Sequence, residues 1–229
     1  MNIEELEAKI NLLENQVKIL QDIEEIKKLQ RAYGYYLEHW MAQEVIDCFA
    51  DGPDTALIIW VGTYLGKEGI KRYFNTYWGG QEISPEFLHE VMQLSGIVDV
   101  ESDGQTAKGR WYGWGVIALP FGGGIVQAFM GGIYQAEYVK QDGKWKFKRL
   151  EFNRTLHFRP GEGWVKPERV AAVDRQKIRQ PIEPDLPRAF EPGYPSGYIV
   201  PFYYKHPVTG KETTEGIRNS ALKSLKNDG

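Results

Sequence analysis

The first forty residues place apolar side chains at helical spacing, in two stripes that are out of phase. The members of the first stripe alternate spacings of three and four residues: Ile3, Leu6, Ile10, Leu13, Val17 and Leu20. This heptad seam has β-branched residues at position a and leucine at position d, a pattern that favours two parallel helices. Lys9 and Glu14 would pair across it. The seam predicts either association between chains, as a dimer or a trimer, or an amphipathic helix packed on its own domain.

The second stripe, from Ile23 to Trp40, indicates a helix that closes the folded domain. A short helix is predicted over 42–50, ended by the turn at Asp51-Gly52-Pro53. The pattern then predicts a strand over 57–61 and a helix over 67–77.

The middle of the chain predicts a curved sheet. Asp-Gly pairs at 103–104 and 142–143 are typical of two-residue hairpin turns. With the glycines at 122–124, they delimit strands at about 88–100, 105–119, 125–141 and 144–158, which short connections join into an antiparallel meander. Glycines within these strands, among them Gly131 and Gly132, predict bulges that curl the sheet. The predicted fold class is α+β: N-terminal helices pack on a cone-shaped, curved antiparallel sheet that encloses an aromatic-lined pocket.

The pattern changes beyond Pro160. Residues 166–179 predict a helix, and residues 181–207 are rich in proline and aromatic side chains. That composition favours an extended arm on the surface of its own domain or of a neighbour. We therefore expect a heptad helix over 1–22, an α+β domain over 23–160 and a C-terminal extension over 161–229.

Composition narrows the function classes. The chain has 229 residues and a net charge of −3, so no basic field for nucleic acid is expected. The single cysteine, Cys48, excludes an internal disulfide framework, and its apolar helical surroundings predict a small buried residue. No signal peptide, membrane span, metal-ligand spacing or phosphate loop is evident, so we expect a cytoplasmic protein without metal or cofactor.

Several segments, in this order and spacing, resemble the SnoaL-like family of the nuclear-transport-factor-2-like superfamily. They are IKKLQRAYGYYLE at 26–38, DCFAD at 47–51, GTYLGKEGI at 62–70, LHEVMQL at 88–94 and GIYQAEYVK at 132–140. Together they cover roughly residues 20–160. The tail VPFYYKHPVTG at 200–210 resembles the end of a longer subgroup. The resemblance implies a cone-shaped α+β fold whose enzymes hold a ring-bearing substrate in an apolar pocket and move one proton without a cofactor.

The resemblance also implies catalytic residues. In similar members, a helix tyrosine and an acid five residues later face a strand histidine, which corresponds here to Tyr33, Glu38 and His89. On this hypothesis His89 is the base, Glu38 orients it, and Tyr33 or Tyr36 donates to an oxyanion. The alternatives are a capping role for His89, packing roles for the tyrosines and a solvated Glu38. This sequence differs from the family's catalytic pattern at two points. The usual acid is aspartate where this chain has Glu38, and the next strand lacks a second histidine or acid.

That next strand reads RWYGW at 110–114, which predicts an aromatic pocket wall. Further side chains are candidates for substrate contact: Tyr36, Trp40, Trp60, Trp111, Tyr112, Trp114, Asn153 and His157. The tryptophans belong either to the core or to the pocket wall, and Asn153 and His157 either face solvent or line the pocket mouth. His39 and His206 are expected at the surface.

The leading functional hypothesis is a cofactor-independent lyase acting on an aromatic or polycyclic hydroxylated small molecule. It would release water or a small carbonyl fragment such as formaldehyde. The alternatives are an isomerase or cyclase in the same pocket, a non-catalytic binding protein and an assembly subunit. The expected partners are a small aromatic substrate and further copies of the chain as a dimer or trimer, with neither nucleic acid nor membrane.

Overall fold

Helix α1 spans Ile3–Glu38 and unites both apolar stripes in one 36-residue helix of this computed structural model, which describes residues 2–78, 85–121, 124–161 and 205–212. A capping box starts the helix. The Asn2 side chain accepts from the Glu5 backbone N–H at 2.8 Å, and the Glu5 carboxylate accepts from the Asn2 backbone N–H at 3.0 Å. The expected boundary at residue 22 therefore lies inside a continuous helix.

The remaining elements follow the predicted order with one addition. They are α2 (Ala42–Asp47), β1 (Ala56–Ile59), β2 (Gly62–Leu65), α3 (Gly66–Trp78), β3 (Leu88–Val100), β4 (Thr106–Phe121), β5 (Gly124–Gln141) and β6 (Lys144–Phe158). The predicted bounds of β3 and β6 are confirmed. Strand β2 was not predicted; it is a four-residue segment that pairs with β1 as a hairpin.

One six-stranded sheet has the order β2-β1-β6-β5-β4-β3. The meander from β3 to β6 is antiparallel, as predicted. Strand β1, however, pairs with β6 in parallel, so the sheet is mixed rather than purely antiparallel. The chain leaves the β1–β2 hairpin through α3 and starts the meander at the far edge, which returns β6 alongside β1. The α+β class with helices on a curved sheet is confirmed.

A bulge at Gly131 and Gly132 helps to curl the sheet, as their positions predicted. A side chain at Gly132 would place its Cβ 2.4 Å from the Asn153 backbone oxygen, so only glycine fits there. The core lies between this sheet and helices α1, α2 and α3. Its largest fully buried side chains are Trp111, Tyr36, Tyr138, Phe49, Phe74 and Phe147. Cys48 is buried, as predicted.

A short C-terminal segment, residues 205–212, returns to the domain beside α2. His206 is buried, and its Nε2 lies 2.8 Å from the Glu44 backbone oxygen. Its Nδ1 accepts from the backbone N–H groups of Val208 and Thr209, and its ring stacks on Tyr36 at 5.1 Å. The prediction of a surface His206 is therefore wrong, because the imidazole anchors this segment. The predicted helix at 166–179 and the rest of the predicted arm lie outside the described residues.

Within the described ranges, no helix has the length and apolar character that crossing a membrane requires.

Candidate active site

A partly open cavity of about 80 Å³ lies between α1, α3 and the concave face of the sheet. Apart from two tryptophans, the polar side chains of its lining are Tyr33, Tyr73, His89 and Tyr134. The other lining side chains are apolar or aromatic hydrocarbon: Leu37, Leu57, Ile59, Phe74, Val91, Met130 and Phe152. A few aligned polar groups in an apolar enclosure are typical of small-molecule sites. We refer to this space as the inner cavity.

His89 stands at the start of β3 inside a cluster of aromatic rings. Its ring meets Trp40 and Trp78 edge-on, each at 6.3 Å, and those two indoles stack on each other at 5.6 Å. The Trp40 indole N–H donates to His89 Nδ1 at 2.9 Å. The Leu37 backbone carbonyl accepts from the ring, so the proton of the neutral imidazole belongs on Nε2.

Burial lowers the pKa of His89 to about 4, and the Leu37 carbonyl opposes that shift only in part. The imidazole is therefore neutral near pH 7. Trp40, whose indole N–H donates to His89 Nδ1, has a left-handed backbone conformation with φ of 50°. Non-glycine residues rarely adopt that conformation. The instances that do occur cluster at functional sites.

Tyr33 reaches the inner cavity from α1 and is 3% exposed. Its ring makes edge contacts with Phe147 at 5.3 Å and with Tyr134 at 6.5 Å. Burial raises the pKa of Tyr33, and the neighbouring Tyr134 and Tyr73 hydroxyls raise it further. The hydroxyl thus keeps its proton at neutral pH and can act as a hydrogen-bond donor.

Tyr134, on β5, lies at the end of a buried hydrogen-bond chain. The Trp111 indole donates to the Tyr138 hydroxyl at 3.1 Å, and that hydroxyl donates to Gln30 Oε1 at 2.7 Å. Gln30 Nε2 then donates to Gln93 Oε1 at 2.6 Å. The Gln93 amide donates to the Val91 carbonyl at 3.2 Å and also hydrogen-bonds the Tyr134 hydroxyl.

The direction of this chain follows from its first member, because an indole N–H can only donate. Each later group must then accept on the Trp111 side and donate on the other. Tyr134 accepts from Gln93, so its own proton remains available to the inner cavity. Burial raises the pKa of Tyr134, and the bond from Gln93 lowers it in part. Gly34 permits the close approach of the strand, since a Cβ there would lie 2.9 Å from Gln93 Cγ.

Glu38 lies on the other side of α1 from His89. It lines a second space of about 340 Å³ with Arg31, Tyr35 and Glu90, which we call the outer cleft. Its carboxylate is 3.9 Å from His39 Nε2, and burial together with the nearby Glu90 raises its pKa to about 7. The expected pairing of Glu38 with His89 is not formed. Five residues of α-helix rotate a side chain by about 140°, so Tyr33 and Glu38 cannot share a face.

The other candidates divide between the inner cavity and the rest of the fold. Trp60 lies at the cavity rim, 64% exposed, with the Arg154 guanidinium 4.9 Å from its ring centre. Trp40 does not line the inner cavity, but it hydrogen-bonds His89, which does. Tyr36 packs against His206 instead. Trp111 is core and begins the hydrogen-bond chain.

Four candidates lie away from the inner cavity. Tyr112 is 59% exposed, and Trp114 stacks on Phe129 at 6.5 Å. Asn153 and His157 are exposed on β6, away from the cavity lining. Asn153 points to the face opposite that of its neighbour Phe152, which does line the cavity. His157 lies beyond the register shift and pairs with Met130 of β5, a lining residue, but does not itself line the cavity.

Tyr134, Tyr73 and Gln93 were not predicted from the sequence. Strand alternation offers a signal for Tyr134, because in register it lies between Trp111 and Phe152, both of which are buried. Tyr73 lies within the helix predicted over 67–77 but was not assigned to a site. Nothing local marks Gln93, whose role depends on contacts with α1. In the described part of the chain, no cluster of three potential metal-ligating side chains forms.

Comparison with known structures identifies similar folds. A protein from Novosphingobium aromaticivorans, assigned only provisionally as a scytalone dehydratase, aligns with a TM-score of 0.53 and 19% identity over 69% of this chain and 99% of its own. The hexachlorocyclohexane dehydrochlorinase LinA-type3 from Novosphingobium barchaimii LL02 aligns with a TM-score of 0.53 and 19% identity over 66% and 99%. At these identities the likeness shows the fold alone.

No curated protein matches the chain. A family model described as the SnoaL-like domain matches residues 18–151, which is more than half of the chain and includes every residue that lines the inner cavity except Phe152. The resemblance seen in the sequence is thereby confirmed: this chain belongs to the SnoaL-like domain family.

Proposed function

We propose that this protein is a cofactor-independent lyase that removes a proton and a small leaving group from a hydroxylated, ring-bearing molecule held in the inner cavity. The observation that carries the proposal is the convergence of a neutral imidazole and two protonated tyrosine hydroxyls in an apolar enclosure. Dehydration and dehydrochlorination, which the two similar structures are named for, are both eliminations. They support the reaction class by analogy of fold.

The tyrosines supply stabilisation of negative charge. Loss of a proton beside a carbonyl produces an enolate, whose oxygen needs hydrogen-bond donors that are already in position. Tyr134 has a proton directed away from Gln93, and Tyr33 lies within edge contact of the Tyr134 ring. Both hydroxyls resist ionisation because they are buried, so they stay donors throughout the neutral range.

His89 is the proposed base, in one balanced sequence. Nδ1 takes the proton of the C–H bond, and the electron pair forms the enolate. The enolate then expels the β-hydroxyl, which leaves as water with the proton returned by the imidazolium. The Trp40 N–H occupies Nδ1 in the resting structure, so substrate binding must displace it.

The resting cavity is small for such a substrate. Ligand sites commonly measure about 300–1,000 Å³, against about 80 Å³ here. Binding of a ring therefore requires side chains to move, and the rim residue Trp60 and the Trp40–Trp78 stack are the aromatic groups placed to do so. Displacing Trp40 would enlarge the cavity and free His89 in the same step.

A second function is favoured by one observation. Both His89 nitrogens are bonded within the protein, and Glu38 is remote from the ring. A cavity with such a satisfied histidine suits a non-catalytic protein that binds an apolar ligand.

The test is a screen of hydroxylated aromatic and polycyclic ketones with purified protein and no added cofactor. Product is followed by mass spectrometry, and binding by quenching of tryptophan fluorescence. Turnover that is lost in His89→Gln but kept in Tyr112→Phe, which alters an exposed tyrosine, supports the lyase. Binding without turnover supports the alternative, and neither binding nor turnover across the panel contradicts both.

A further inference from the structure

The N-terminal half of α1 extends beyond the domain with its apolar seam uncovered. Every residue from Asn2 to Gln21 is exposed. The seam residues are among them, with Ile3 76%, Ile10 46% and Leu20 62% exposed. An uninterrupted apolar stripe of this kind normally marks an interaction surface.

The projecting half is held firmly where it leaves the domain. Asp22 is only 4% exposed; it accepts from the Trp145 indole N–H at 2.9 Å and forms an ion pair with Lys140. The next turn brings Ile26, which is fully buried. The seam therefore ends where the core begins, and the packed half supplies the helical nucleus that an isolated helix lacks.

The sequence of the seam determines the kind of partner. Its period of 3.5 residues, kept from Ile3 to Leu20, is that of a left-handed coiled coil. The exposure of all its members shows that the core of its own domain does not cover it. Isoleucine or valine at every a position with leucine at every d position favours two strands.

Charge at the flanking positions determines the orientation. In a parallel pair in register, Lys9 at g faces Glu14 at e of the other helix, twice by symmetry. In an antiparallel pair, Glu7 and Glu14 from the two helices would face each other, which places like charges together. The flanking charges thus complement a second copy in the parallel arrangement.

We infer that the seam, Ile3 to Leu20, pairs with the same seam of a second copy of this chain as a parallel two-stranded coiled coil. The two domains then lie at the same end of the coiled coil. This assembly is independent of the proposed lyase activity, and each can fail without the other.

The first experiment measures the mass of the full chain by light scattering during size-exclusion chromatography. The wild type is expected at twice the mass of the chain, and Leu13→Lys at the mass of one chain. Ala8→Lys, at the outward f position, serves as the matched control and should remain a dimer. Because every side chain of the seam is exposed, all three should give the same near-UV circular dichroism.

The second experiment tests the orientation by oxidative cross-linking. Leu6→Cys meets its own copy only in a parallel pair, since an antiparallel pair places Val17 opposite it. We expect a disulfide-linked dimer for Leu6→Cys and none for Ala8→Cys; the native Cys48 is buried and does not compete. A monomeric or trimeric wild type, a Leu13→Lys variant that remains a dimer, or a dimer in which Leu6→Cys fails to cross-link would overturn the inference.

Discussion

The inner cavity and the outer cleft lie on opposite sides of the same helix and strand, yet they hold different chemistry. Tyr33 and Leu37 of α1 and His89 of β3 face the inner cavity. Arg31 and Glu38 of α1, with Glu90 of β3, line the outer cleft. Adjacent strand residues point to opposite faces, and helix residues five apart diverge by about 140°. A histidine and an acid that the sequence suggests as partners are therefore separated.

Burial acts on the two sides in opposite directions. It lowers the pKa of His89 to about 4 and raises the pKa of Glu38 to about 7, because in each case it disfavours the charged form. The inner cavity therefore contains no charged side chain among its lining residues near pH 7, whereas the outer cleft has a carboxyl that titrates there. A neutral cavity with a largely apolar lining strengthens hydrogen bonds to a developing oxyanion.

The largest expected effect is on turnover, which should depend on a tyrosine of the inner cavity and not on one of the outer cleft. Tyr134→Phe removes the proposed donor to the enolate, and loss of one such donor lowers kcat by about 100- to 1,000-fold. The measurement is the initial rate on whichever substrate the screen identifies. Tyr35→Phe, which alters a tyrosine of the outer cleft, is the control and should keep its rate. Equal losses of rate in both variants would contradict the assignment of Tyr134 as the donor to the enolate.

The hydrogen-bond chain behind the inner cavity should contribute to stability. Gln30→Leu leaves the Gln93 Oε1 without its donor and the buried Tyr138 O–H without its acceptor. We expect a loss of about 2–3 kcal/mol in the free energy of unfolding, from urea denaturation. Gln127→Leu, at an exposed position, should change it little. A Gln30→Leu variant as stable as the wild type would contradict the stabilising role of the hydrogen-bond chain.

The outer cleft predicts a pH-dependent stability. The folded-state pKa of Glu38 is raised from 4.5 to about 7, so its contribution to stability is complete below pH 4.5 and is lost as the pH rises through 7. Glu38→Gln should therefore match the wild type at pH 4 and exceed it by about 1–2 kcal/mol at pH 8. Urea unfolding at both pH values measures this, with the exposed Glu137→Gln as control. A gain at pH 4 instead would refute the raised pKa.

The smallest effect concerns the resting state of His89. Trp40→Phe removes the donor to Nδ1, so protonation no longer breaks a hydrogen bond, and the His89 pKa should rise from about 4 toward 6.5. A bond of this kind contributes about 1 kcal/mol, which corresponds to a rise of somewhat less than one unit. An NMR titration of the histidine ring signals measures it, and Trp114→Phe is the matched control. An unchanged or lower pKa in Trp40→Phe would show that Trp40 does not hold the ring.

The elements that depend on local signals could be predicted from the sequence. The Asp-Gly turns delimit the meander, and the bounds of β3 and β6 agree with the structure. Strand β2 was missed because its four residues are mostly exposed and show no apolar alternation. The parallel pairing of β1 with β6 joins residues about ninety positions apart, and no local pattern specifies such a contact.

The site was predicted only in part, for the same reason. Tyr33 and His89 do line one cavity, which the family resemblance implied. The role of Tyr134 depends on Gln93, which in turn depends on Gln30 of α1, sixty-three residues away in the chain. His206 was misplaced because its location follows from contacts with α2 and Tyr36, which no local sequence pattern specifies.

We propose that proton transfer takes place in the inner cavity and depends on His89 rather than on Glu38. The most direct measurement compares cofactor-free turnover of His89→Gln and Glu38→Gln on the same substrate, with both variants shown to be folded. We expect His89→Gln to lose activity to background while Glu38→Gln retains most of the wild-type rate. Full activity in His89→Gln together with loss in Glu38→Gln would contradict it and would place the chemistry in the outer cleft.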